Sequence, residues 1–237
     1  MRARVVHKPF QVRTKVGLPA LCEGVKDPTE AADLLLEHPA VRRMLLTQKA
    51  FVEGGRSMLY DCGIDYDLLV EARLAGDFAL ERRIDDRMGF VTPILKGFLT
   101  EVGSEVANLG VQVLGGHGYI KANAVEQILR DIRISTLWEG TTQIQGLDLL
   151  GRKVLLQKLK PIHRECGQLA LFAWGTLMRG KGKRVRRHAL TVLYKSAEWL
   201  LLTYRVALCA ARHRDAVGAA SVEYLLYAGV VRSPQRL

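Results

Sequence analysis

The feature that most constrains the fold is a row of apolar residues at helical spacing: Ile94, Phe98, Val102 and Val106, with Leu95 and Leu99 beside them. Positions four apart share one face of an α-helix, so a row this long needs other elements to cover it. The same period recurs in Val41, Met44, Leu45 and Val52, over residues 66–86, in Ile144, Leu147, Leu150 and Val154, and over 189–211. Two-residue alternation between turn signals does not recur. The pattern predicts an all-α helical bundle.

Punctuation refines this reading. Pro39 suits the first turn of a helix, where its missing N–H falls among donors that lack partners anyway. Thr92 followed by Pro93 reads as a second helix start, with a capping hydroxyl before the proline. Gly54 and Gly55 are expected to weaken the helix begun at Pro39. Residues 1–28 read as irregular, 29–37 and 124–130 as short helices, and 131–137 as an irregular link. A helix is expected to begin near 139–141, with Ile144, Leu147, Leu150 and Val154 as its buried face. The Gly/Lys/Arg run over 178–188 reads as an exposed loop, and 189–211 as a long, mostly apolar helix.

Composition excludes several classes. Hydrophobic residues are 49% and charged residues 25% of the 237, which is globular rather than disordered. The longest stretch without a charged residue, 106–120, holds fifteen residues of which four are glycine, too short and too broken to span a membrane. Cys22, Cys62, Cys166 and Cys209 form no CxxC pair, so neither a zinc site nor a disulfide framework is indicated, and no metal site is assigned. The net charge of +11 is uneven, since residues 151–237 hold 17 Lys/Arg against 4 Asp/Glu. A polyanionic partner is conceivable only there. The basic run lacks aromatic interleaving and any nucleic-acid-binding motif, and reads as solvated surface rather than a nucleic-acid interface. The basic start of the chain loosely matches an import segment, which gives a mitochondrial location in a eukaryote and a cytoplasmic one otherwise.

Two segments carry candidate chemistry. Glu139 precedes an expected helix start, beside Trp138 and before Gly140. Unpaired N–H groups and the helix dipole favour negative charge there, while an adjacent indole would desolvate the carboxylate. The combination can make a general base with nearby oxyanion donors; by itself it reads more readily as a capping glutamate in a solvated first turn. Gly115, Gly116 and Gly118 let backbone approach a ligand closely, or simply make an interhelical turn. His117 has no partner at metal-ligand spacing.

Taken together, the segments are more specific. Gln112, Gly115, Gly116 and Gly118, then Arg130 and Asp131, then Glu139, Gly140, Thr141, Ile144 and Gln145 follow one another within 34 residues. Their order and spacing resemble the acyl-CoA dehydrogenase superfamily. His38 to Thr47, Leu95 to Phe98 and Leu147 to Lys153 resemble its large bacterial-type branch. The resemblance implies the C-terminal helical domain of an FAD-dependent enzyme over residues 36–160. Residues 1–35 are then a diverged N-terminal segment and 161–237 a basic helical extension. It assigns Glu139 as the base that removes the α-proton of an acyl-CoA, and places Trp138 and Gly140 beside the substrate. It gives Gln112, Gly115, Gly116, Thr141 and Gln143 contacts to FAD. Some members have an arginine twelve positions after the base; here that position is Gly151, so Arg152 receives no role. The family's N-terminal helical and middle β-domains are not recognisable, and an incomplete enzyme is expected, with a homo-oligomer or complementing subunit as partner and no electron acceptor specified. The alternative is an inactive helical binding or assembly module docking through residues 189–230.

Overall fold

The computed structural model describes residues 34–180, 182–213 and 215–233. Among them every regular element is helical, and the fold is all-α. The long helices are α1 (Pro39–Ala75) and α2 (Phe78–Leu114). A single turn, α3 (Gly116–Tyr119), and α4 (Val125–Arg133) follow. Next, α5 (Thr142–Leu147) runs directly into a π-helical stretch, Asp148–Leu155. The chain ends in α6 (Lys160–Arg179), α7 (Lys183–Ala210) and α8 (Asp215–Arg232). The contacts divide into two compact units: Met1–Ala50 with Glu105–Asp131, and Phe51–Ser104 with Ile132–Leu237. Helices α1 and α2 each run through both.

In the second unit α1 and α2 form an antiparallel hairpin. Phe51 meets Phe98 edge-on at 6.3 Å between centroids, Arg87 lies 3.2 Å from Asp65, and Arg73 pairs with Glu81 at 2.7 Å. The helix expected over 66–86 is in fact broken at this corner. Gly76 takes φ +70, and the Asp77 carboxylate accepts the Leu80 N–H at 3.0 Å. That pairing of a left-handed glycine stop with an aspartate N-cap separates two helices that share one apolar period.

Two other expectations fail for one reason, tertiary burial overriding local preference. Gly54 and Gly55 do not weaken α1, which continues past them to Ala75. Both are buried, and a β-carbon would come within 3.1 Å of Ser233 Cβ at Gly54 and 3.0 Å of Leu99 Cδ2 at Gly55. They are close-contact positions rather than breaks. Nor does α2 start at Thr92: the helix begins at Phe78 and Pro93 lies inside it. The Thr92 hydroxyl donates back to the Met88 carbonyl instead of capping. Proline inside a helix costs about 3 kcal/mol or more. Here Phe90, Val91, Ile94, Leu95 and Phe98 are all buried on either side of it, and the helix continues through.

Helix α8 closes this core. Leu225 seats over Gly97, Phe98 over Gly229, and the Trp199 ring lies 6.2 Å from Phe90 and 6.1 Å from Tyr224. Thr203 gives its proton to the Trp199 carbonyl, so Tyr224 donates to the Thr203 oxygen at 2.8 Å. Arg232 forms a buried ion pair with Glu165 of α6. The basic run is helical from Lys183, so only residues 180–182 separate α6 from α7.

The buried face after Glu139 is also shifted. Leu150 and Val154 are fully buried as expected, but Ile144 is 57% and Leu147 37% exposed. Thr142, Gly146 and Leu149 take the inner positions instead. Gly146 sets this facing, because its missing side chain lets the Ser221 backbone approach: a β-carbon would stand 2.6 Å from that carbonyl oxygen. The link after α4 is helical to Thr136 rather than irregular. In the first unit Leu35–Glu37 is a 3-10 turn, and the rest of the helix expected over 29–37, with the irregular segment 1–28, lies outside the described residues.

Candidate active site

The Glu139 loop belongs to the second unit and joins α4 to α5. A 3-10 turn, Ile134–Thr136, leads into it, and Thr136 is buried. The backbone then turns left-handed at two successive residues, Glu139 at φ +55 and Gly140 at φ +95. A left-handed non-glycine residue costs on the order of 1–3 kcal/mol and persists only where surrounding structure dictates it. Five hydrogen bonds do so. Gln145 Nε2 donates to the Glu139 carbonyl at 3.1 Å. Lys96 Nζ donates to the Gly140 carbonyl at 2.5 Å and to the Ser135 carbonyl at 3.0 Å. The Thr142 hydroxyl donates to Glu101 at 2.5 Å. The Thr141 hydroxyl oxygen caps α5, accepting the Ile144 N–H at 3.4 Å.

The result is a loop held by its backbone, with the Glu139 side chain outside the clamp. Glu139 and Gln143 are exposed, and Trp138 is 57% exposed, so the indole does not bury the carboxylate as the sequence suggested. Trp138, Glu139, Gly140, Thr141 and Gln143 thus share one loop and helix start. Lys96 and Glu101, which no motif assigned to a site, are the residues of α2 that grip it. The available signal was subtle: they are the only charged residues between Val91 and Val102.

Gln112, Gly115 and Gly116 belong to the first unit, where α2 ends. The Gln112 carbonyl accepts the Gly115 N–H at 3.1 Å, and Gly115 takes φ +57. Open space lies where side chains on Gly115 and Gly116 would stand. Gly118 differs: a β-carbon there would fall 2.6 Å from the Val111 carbonyl oxygen. It is needed for packing, whereas the first two leave backbone accessible. The Asn123 amide ties the turn down, donating to the His117 carbonyl at 2.5 Å.

The family profile described as "Acyl-CoA dehydrogenase, C-terminal domain" matches residues 16–155. The chain belongs to the acyl-CoA dehydrogenase family. The match reaches further back than the resemblance read from residue 36. This acyl-CoA dehydrogenase chain is 37% identical over 199 residues to 3-methylmercaptopropionyl-CoA dehydrogenase of Ruegeria pomeroyi, covering 82% of the chain and 32% of that protein. It is 33% identical over 161 residues to the broad-specificity linear acyl-CoA dehydrogenase FadE5 of Mycobacterium tuberculosis, covering 68% and 26%. Among solved structures, Caenorhabditis elegans ACDH-11 in complex with C11-CoA superposes with a TM-score of 0.62 at 16% identity, over 87% of this chain and 34% of that one. The last likeness concerns the fold alone. The chain spans about a quarter to a third of the length of these proteins.

Proposed function

We propose that the chain is the C-terminal helical part of an FAD-dependent acyl-CoA dehydrogenase, with residues 36–160 carrying the reaction site and 161–237 a basic helical extension. The observation that carries this reading is the Glu139 loop, whose backbone is clamped in a left-handed conformation while its carboxylate stays outside the clamp. Holding a base on a fixed backbone is what proton abstraction at a positioned carbon requires. In this reading Glu139 accepts the α-proton of an acyl-CoA thioester, and its backbone N–H helps polarise the thioester carbonyl. Trp138 and Gly140 flank the acyl group. Thr141 and Gln143 at the start of α5 would contact FAD; separately, Gln112, Gly115 and Gly116 at the end of α2 would contact the ADP portion of FAD across a subunit interface, and the open space beside both glycines fits backbone contact with a ligand. Bound FAD supplies the acceptor for the hydride that leaves the β-carbon. The sequence relatives named above are bacterial, which favours a cytoplasmic setting over import into a mitochondrion.

The test is deuterium exchange at the α-carbon of butyryl-CoA, with FAD added. Glu139→Gln keeps the size and hydrogen-bonding shape but cannot accept the proton, and is expected to lower exchange by about 10²–10⁴. Exchange unchanged in the variant would remove Glu139 from the mechanism.

One observation favours a second reading, an assembly module. Leu190, Tyr194, Leu201 and Leu208 lie exposed along α7, and Trp174 is exposed on α6. Exposed apolar rows of this kind mark contact surfaces. Titration with free FAD separates the two readings: a perturbed flavin spectrum, even at low affinity, belongs to the first, and an unperturbed one to the second.

A further inference from the structure

The Glu139 loop is tied at two points five residues apart in the chain by a single ammonium group. Lys96 Nζ donates to Ser135 at one end of the loop and to Gly140 at the other. An ammonium has three donors, and two are spent on backbone carbonyls, so the tie acts on the path of the chain whatever side chains the loop carries. Its base is rigid: Ile94, Leu95 and Phe98, on the same stretch of α2, are all buried. The carbonyl it grips most closely belongs to the residue after Glu139, within the left-handed step that directs the Glu139 side chain. The Gln145 contact to Glu139 and the Glu101 contact to Thr142 hold the downstream side. Lys96 spans both ends.

We propose that Lys96 is a positioning residue for Glu139, fixing the direction of its carboxylate through the Ser135 and Gly140 carbonyls. The proposal rests on the reading of Glu139 as the base. It separates Lys96 from a merely stabilising side chain, because the local order of one loop, and not global stability alone, should depend on it.

The experiment compares the full chain with Lys96→Met and Lys96→Arg. Amide hydrogen exchange over residues 135–142 is read beside the melting temperature. Deuterium exchange at the α-carbon of butyryl-CoA, with FAD added, is resolved into kcat and KM. In Lys96→Met, amide exchange in 135–142 is expected to rise about tenfold or more while α6 to α8 keep wild-type protection, since local opening and global unfolding are separable. The kcat for α-carbon exchange should fall about tenfold or more, with KM within about twofold, the mark of an interaction made in the transition state. Lys96→Arg keeps the charge but not the point-like donor, and should show a smaller fall in kcat with the fold intact. If Lys96→Met does not fold, Lys96→Arg carries the test. Native loop exchange and native kcat in Lys96→Arg, or a rise in exchange spread evenly over the chain in Lys96→Met, would overturn the proposal. If Glu139→Gln exchanges α-deuterium as the wild-type chain does, the reading of Glu139 falls, and loop exchange still decides whether Lys96 holds the loop.

Discussion

Phe98 lies across Gly229 so closely that a β-carbon on the glycine would stand 2.1 Å from the ring Cγ. With Leu225 over Gly97 one turn earlier, this makes the contact of α2 and α8 a pair of large-on-small seats. Gly229→Ala should therefore destabilise the chain by about 3 kcal/mol, the upper end for overpacking in a closed core. Gly167→Ala is the control, since open space surrounds that helical glycine. It should stabilise by about 0.5–1 kcal/mol through helix propensity. Chemical denaturation of both variants checks the contrast. Equal effects would mean that the α2–α8 seat yields without cost.

The buried pair of Arg232 and Glu165 gives a second expectation. Arg232 is 3% and Glu165 5% exposed, and among the described residues the Arg232 Nε has no acceptor. Removing one partner leaves an uncompensated charge in the core, so Arg232→Met should cost about 3–5 kcal/mol. Removing both charges, as Arg232→Met with Glu165→Leu, should restore much of that loss. A double-mutant cycle by urea denaturation reads the difference. A double variant as unstable as the sum of the singles would show that the pair is not coupled.

How legible was this in the sequence? Helical periodicity alone gave the all-α class, and Pro39 marked the start of α1, because both are local signals that burial reinforces. Gly54, Gly55 and Pro93 misled for the opposite reason. Each carries a strong local preference, and each sits where packing with distant residues, Ser233 and Leu99 for the glycines, dominates. The facing of Ile144 and Leu147 was unreadable because an approach by Ser221 to Gly146, far along the chain, decides it. Within the site, the motif pointed to the loop bearing Glu139. Lys96 and Glu101 stayed hidden because their contacts cross 39 to 44 residues of chain, a separation no local pattern encodes.

Thiol chemistry offers a third test. Burial first, and the neighbouring Glu165 carboxylate second, push the Cys166 thiol from 9.0 up to about 12. The folded protein therefore keeps this proton after the unfolded chain has lost it. Stability should be fully present below about pH 9 and decline as pH rises towards 12, by at most about 1.4 kcal/mol per pH unit from this group. Exposed Cys209 should react with iodoacetamide at pH 8 within minutes, while Cys166 should react only as the chain opens. Mass spectrometry after timed labelling reads this directly. Equal labelling of both cysteines in the folded chain would contradict the burial.

The fourth expectation concerns the cofactor. The chain spans about a quarter to a third of the length of these relatives, and the residues assigned to FAD are few. Affinity falls with each absent contact. Weak or undetectable FAD retention after gel filtration is expected of the chain alone. Recovery of stoichiometric yellow protein would show that these helices suffice.

The π-helical stretch Asp148–Leu155 has a consequence for how this chain tolerates changes in length. Its last turn closes with a bond from the Leu156 N–H to the Gly151 carbonyl, five residues back. Such a turn stores one residue more than an α-turn needs. Deleting a residue elsewhere in a helix rotates everything beyond it by roughly 100°. Here the deletion can be absorbed by reversion to ordinary α geometry, leaving the later helices facing as they do. The stretch is thus a vernier between the Glu139 loop and the C-terminal bundle, the place where their spacing along the chain can drift by one residue without turning either out of line.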